Sequence, residues 1–174
     1  MATTMAAGNR EGRAPGGWTQ AAVLILLLAI CAVVEYAAAV VTRPAVATWY
    51  QDIQRPAWTP PDMAFPIVWT TLYVLMALAA WQAWRRVPHA AAGALIPFLI
   101  QLALNAAWSY AFFGYGNFPL GFVVLVALVL AVLATITAFA QRSGLAAWLM
   151  APYLVWICYA AALNARIVQL NPQI

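Results

Sequence analysis

Residues 118–141 read FPLGFVVLVALVLAVLATITAFAQ, a run without one ionisable side chain. A helix of that length rises roughly 36 Å, enough to cross the roughly 30 Å hydrocarbon core of a bilayer. Backbone N–H and C=O groups find no water there, so the run must be a helix rather than a lone strand. The rest of the chain repeats the pattern. Runs at about 18–41, 65–84, 90–113 and 145–170 are also long and apolar enough to span. The sequence therefore predicts an all-α integral membrane protein, a compact bundle of five transmembrane helices.

The composition agrees. Of 174 residues, 67% are apolar and 7% charged. Soluble domains are about a quarter charged, and a globule of this size could not hide so much apolar surface. A soluble enzyme, a disordered chain and a nucleic-acid binder are excluded. The net charge of +4 comes from eight scattered arginines, with no basic face to neutralise a row of phosphates. Cys31 and Cys158 sit inside apolar runs, and with His89 they are three widely separated metal ligands, too few for a structural zinc site. No metal site is expected, and the thiols read as small apolar residues.

Residues 1–17 read as a flexible N-terminal tail and 18–174 as the five-helix domain, with helix one a retained span rather than a signal peptide. Most connections are short, which makes sequential helices antiparallel neighbours. The exception is 42–64, and long loops in compact proteins are often functional. Arg10, Arg13, Arg85, Arg86 and Arg142 fall on one side of the bilayer, and Arg43, Arg55 and Arg166 on the other. That asymmetry favours a cytoplasmic amino terminus, with the long loop on the outer face.

Nine tryptophans are more than interfacial belts require. Trp18, Trp81, Trp84 and Trp148 lie near span ends, but Trp49, Trp58, Trp69, Trp108 and Trp156 do not fit that explanation. The long loop carries Trp49-Tyr50 and Arg55-Pro56-Ala57-Trp58-Thr59-Pro60-Pro61. Pro56, Pro60 and Pro61 fix φ and stiffen the segment, so it reads either as a pre-organised lid or as an aromatic interfacial anchor. In helix three, Gln101, Asn105, Trp108 and Phe112 share one face, while Ala103, Ala107 and Ala111 recur at four-residue spacing on the other. Buried amides must face the interior of the bundle, as glue or as ligand contacts. The alanine face fits a closely approaching helix, within one protomer or across a homodimer. Helix two presents Trp69, Tyr73 and Met76. Helix five presents Tyr153, Trp156, Tyr159, Ala160, Leu163 and Asn164 after Pro152, which is expected to kink or restart it. Three such stripes together suggest an aromatic pocket for flat apolar ligands, with Trp58, Tyr73 and Gln101 among its candidate residues. Glu35, near the outer end of helix one, is the only acid within a span.

The chain lacks GxSxG, P-loop and HExxH motifs and paired carboxylates. Instead, several motifs in order resemble the translocator protein family, also called tryptophan-rich sensory proteins. They are Trp49-Tyr50, Arg55 to Pro61, Pro66 to Tyr73, Gln101 to Trp108 leading to Phe112-Phe113-Gly114, and Pro152 to Trp156 leading to Ala160 and Asn164. The resemblance covers roughly residues 18–171. It implies a five-helix bundle, commonly a homodimer, with a ligand pocket under the first loop at Trp49, Trp69, Asn105, Trp108, Trp156 and Ala160. It also implies binding of porphyrins (protoporphyrin IX or haem) as ligand, with no cofactor required, in a sensor, regulator or translocator. The alternative it carries is a light- and oxygen-dependent porphyrin-degrading enzyme. A sterol transporter or pure scaffold ranks below both. The sterol pattern of animal members needs a Tyr followed within five residues by a cation; at the carboxyl end six residues separate Tyr159 from Arg166, and the match at Val46, Tyr50 and Arg55 lies in the loop.

Overall fold

The computed structural model of the chain describes residues 16–88 and 92–173. Five helices follow in order: α1 Gly17–Ala47, α2 Ala64–Arg86, α3 Ala92–Ser109, α4 Phe118–Ala140 and α5 Gly144–Leu170. With α3 extended to Gly114, all five are long and apolar enough to cross a membrane. Arg10, Arg13, most of the expected tail and the turn residues His89 and Ala90 lie outside the described residues.

The helices close a ring: α1 packs on α2, α2 on α5, α5 on α4, α4 on α3, and α3 returns to α1. Tyr153, Phe98, Phe118, Phe139 and Met76 fill its interior, while Ile25, Val33, Ile96, Val123, Leu130 and Val155 point outward. Lipid is as apolar as leucine, so apolar burial does little to drive these helices together. Close packing and interhelical hydrogen bonds must do it. Small residues permit the approach. Ala77, Ala79, Ala80 and Ala83 of α2 are buried. On α4, a Cβ at Gly121 would sit 3.0 Å from Asn164 Oδ1 and 3.2 Å from Phe112 Cβ, so only glycine lets α4 close on both neighbours.

Three details depart from the sequence expectation, each for a local reason. α1 continues past Val41 and through Pro44 to Ala47. Proline costs one intrahelical bond, which is tolerable close to a helix end. Thr48 Oγ1 donates to the Pro44 carbonyl at 2.8 Å just beyond that end. Glu35 therefore lies twelve residues below the end of α1, near mid-helix, where it accepts a 2.5 Å hydrogen bond from Thr70 Oγ1. Pro152 neither breaks nor restarts α5, which runs unbroken from a Ser143 cap.

The third departure bears on the site. α3 ends in a π-helical turn, Tyr110–Gly114. Its wider hydrogen bonding is visible where Tyr115 N donates to Tyr110 O at 2.8 Å and Asn117 N to Ala111 O at 3.0 Å. Gly116 then reverses the chain with φ 62°, a left-handed geometry that favours glycine. A π turn adds one residue and rotates everything after it. Ala111, expected on the outward alanine face, is consequently buried within the protomer at 3% exposure, whereas Ala103 and Ala107 remain exposed.

Candidate functional site

The α1–α2 connection folds down on the bundle. Trp49–Gln51 form one 3-10 turn. Tyr50 is buried, and the Trp49 ring packs on Phe112, Phe113 and Phe118 at centroid distances of 6.4, 6.3 and 5.7 Å. The segment beyond is cross-braced. Arg55 pairs with Asp62 at 3.5 Å, donates to Gln51 Oε1 at 3.1 Å and lies over the Tyr50 ring at 4.9 Å. Gln51 Nε2 in turn donates to Asp62 Oδ2 at 2.8 Å. Exposed pairs of this kind contribute little singly, but here they join both ends of the proline segment. Two contacts fasten it to α5. Tyr159 donates its hydroxyl to the Trp58 carbonyl at 2.7 Å. Asn171 takes both backbone groups of Gln54: it accepts from N–H at 3.0 Å and donates to C=O at 2.9 Å. These contacts hold the proline segment against the end of α5.

Beneath it lies a cavity walled by Phe65 and Trp69 of α2, Trp108, Phe112 and Phe113 at the end of α3, and Trp156, Tyr159, Ala160, Leu163, Asn164 and Ile167 of α5, with Tyr50 above. Trp69 is the central ring, with centroids of Trp108, Tyr153 and Trp156 at 6.0, 6.3 and 6.4 Å. Only about 20 Å³ is open to a water centre, room for about one water. Ligand pockets usually run to about 300–1,000 Å³, so the rings leave far less space between them than a drug-sized molecule fills.

Below the rings is a polar floor. Asn105 accepts from the Tyr73 hydroxyl at 2.6 Å and donates to the Tyr153 hydroxyl at 2.8 Å, joining α2, α3 and α5. Gln101 Nε2 contacts Met76 Sδ at 3.6 Å, and its Oε1 has no partner. Nearer the lid, Asn164 of the cavity wall ties α5 to the start of α4 by donating to the Phe118 carbonyl at 2.9 Å, and its Oδ1 accepts from Trp108 Nε1 at 3.4 Å.

Of the residues expected at the site, Trp69, Trp108, Trp156 and Ala160 thus line the cavity. Trp49 does not line it: its ring packs behind the wall on Phe112, Phe113 and Phe118, and Pro56, Pro60 and Pro61 lie in the connection above. Trp58 is half exposed and stacks edge-on against Tyr159 at 5.5 Å, outside the cavity. Tyr73, Gln101 and Asn105 are buried in the floor and do not line the cavity. The lining adds Phe65, Phe113 and Ile167, which sequence spacing did not single out. Phe65 and Ile167 lie one helical turn beyond Trp69 and Leu163. Phe113 reaches the wall only because the π turn rotates it inward.

Chemically the lining offers ring faces and indole N–H groups. Trp156 Nε1 is buried without a partner, a donor that a ligand oxygen could satisfy. No acid–base pair converges on it, and no group of three or more His, Cys, Asp or Glu occurs among the described residues. Burial pushes the Tyr50 phenol above its ordinary range, with Arg55 opposing the shift.

Known proteins are similar to this chain over most of its length. The profile of the TspO/MBR family matches residues 24–170. "Tryptophan-rich protein TspO" of Chlorobaculum tepidum is 36% identical over 153 residues, 86% of this chain and 96% of that protein. The Archaeoglobus fulgidus protein of the same name is 38% identical over 151 residues, covering 86% and 98%. "Translocator protein" of Homo sapiens is 37% identical over 119 residues, covering 67% and 70%. With five spanning helices and an aromatic cavity between them, this multi-pass integral membrane protein belongs to the TspO/MBR family.

Proposed function

We propose that the protein is a membrane receptor for tetrapyrroles, which takes protoporphyrin IX or haem between its helices as sensor, regulator or translocator. The observation that carries this reading is the cluster of Trp69, Trp108 and Trp156 under a fastened lid. Flat aromatic macrocycles gain most from such walls, by offset and edge contacts as well as area. Binding displaces the side chains that now fill the cavity. Titration of the reconstituted protein with protoporphyrin IX in the dark should give saturable quenching of tryptophan fluorescence. A response that never saturates would leave the cluster as core packing alone.

The contact of Trp69 with Trp156 at 6.4 Å favours one second reading, oxidation of the bound porphyrin by dioxygen under light, with these indoles as neighbouring redox groups. Illumination separates the two: simple binding preserves the porphyrin spectrum, whereas turnover bleaches it.

The segregation of Arg85, Arg86 and Arg142 from Arg43, Arg55 and Arg166 supports a cytoplasmic amino terminus. Exposed Ala103 and Ala107 on α3 fit a homodimer seam. Ala107→Leu is expected to shift the protein to monomers in mild detergent and to leave porphyrin binding intact, since the cavity faces away. An unchanged mass by light scattering would remove α3 from the interface.

A further inference from the structure

We propose that the ligand reaches the cavity sideways from the bilayer, through a groove between α2 and α5, with Trp156 and Tyr159 as the gate. The proposal rests on the tetrapyrrole reading above and assigns its route. The groove is walled by Ile67, Thr71 and Leu75 of α2 and by Pro152 and Val155 of α5, and Pro60 of the lid closes its top. It offers about 520 Å³, against about 20 Å³ in the cavity. Its lining is apolar and belongs to two spanning helices, so it opens to hydrocarbon. Ile67 and Val155 are 66% and 69% exposed.

Two side chains belong to both spaces. Trp156 and Tyr159 line the groove on one side and the cavity on the other. They stack on each other at 5.7 Å and form the partition between the two spaces. Trp156 is held by ring contacts with Phe65, Trp69 and Tyr159, and its buried indole N–H has no partner. Turning it therefore breaks no hydrogen bond of its own. Moving Tyr159 breaks one, to the Trp58 carbonyl. Lifting the lid is a larger event. It breaks both Asn171 bonds to Gln54 and the Tyr159 bond, and it withdraws buried Tyr50 and the Trp49 ring from Phe112, Phe113 and Phe118. The protoporphyrin ring partitions into hydrocarbon while its two propionates stay near the headgroups, and the groove stands open to that outer layer just beneath Pro60 of the lid. The lateral path thus begins where the ligand is concentrated and crosses the partition with fewer bonds to break.

The test uses the full chain in phosphatidylcholine vesicles, with protoporphyrin IX added in the dark and tryptophan quenching followed by stopped flow. Val155→Trp and Thr71→Phe fill the groove from its two walls without touching the cavity. Each should slow association and dissociation together by at least about tenfold and leave Kd within about threefold, because an obstructed path changes both rates alike. The retained Kd also reports that the variants are folded. Asn171→Ala frees the lid from Gln54 and should leave the association rate within about twofold. Parent rates in both groove variants, or an association rate raised about tenfold by Asn171→Ala, would overturn the lateral route while the receptor reading stands. No saturable binding to the unaltered protein would instead overturn the receptor reading, and the route with it.

Discussion

Asn105→Ala is expected to destabilise the bundle by about 2–4 kcal/mol, read as a large drop in thermal unfolding temperature in detergent. Asn105 is 1% exposed, and both ends of its amide are in use, by Tyr73 at 2.6 Å and Tyr153 at 2.8 Å. Alanine leaves two hydroxyls in a buried site without partners, each costing about 1–3 kcal/mol, and adds a small cavity. Interhelical bonds in membranes often measure lower, about 0.6–1.7 kcal/mol, because the separated helices also find partners. Asn105 makes two such bonds, which at about 1 kcal/mol each set the floor of the estimate. The triple change Asn105→Leu, Tyr73→Phe and Tyr153→Phe removes every polar group of the network and should recover most of the loss. A loss no larger than that of an exposed substitution such as Ala103→Ser would show that the network does not hold the three helices. Ligand affinity in Asn105→Ala should fall far less than stability, since this amide is floor rather than wall.

Trp69→Ala should carry the largest effect on binding, weakening protoporphyrin IX and haem by similar factors of about 10–100, or about 1.4–3 kcal/mol. Trp69 packs against four rings, those of Tyr73, Trp108, Tyr153 and Trp156, so its loss removes a stacking face and loosens the cage. The two ligands should respond alike because the wall offers iron little. Haem proteins hold iron through His, Cys, Met or Tyr, and the lining contains only Tyr50 and Tyr159 from that set. Tyr159 already donates to Trp58, and burial works against the Tyr50 phenolate that would ligate iron. Metal-free porphyrin should accordingly bind at least as well as haem in the parent protein. Haem binding that far exceeds protoporphyrin binding and collapses in Tyr50→Phe would show an axial ligand and refute this picture of the site.

Much of this architecture was legible in the residues themselves. Five apolar runs separated by arginine- and glycine-bearing turns admit one solution in lipid, because backbone groups there must bond within helices. The stripes carrying Trp69, Trp108 and Trp156 follow from the 3.6-residue period, and the proline segment declared its stiffness through fixed φ angles. What periodicity could not show is where the period itself changes. The π turn at Tyr110–Gly114 buries Ala111 and brings Phe113 to the wall, and no composition signal marks that extra residue. Likewise, an amide in a span must be paired, but only packing decides with whom. Asn105 turned out to be spent on two tyrosines, while Trp156 kept a free N–H. Asn171 fastens a lid residue 117 positions away. Residue type and local period determined the helices, their order and their aromatic faces. Tertiary structure alone decided which polar groups close on each other, how tightly the rings fill the cavity, and that its thin wall faces the α2–α5 groove, because those depend on contacts between segments far apart in sequence.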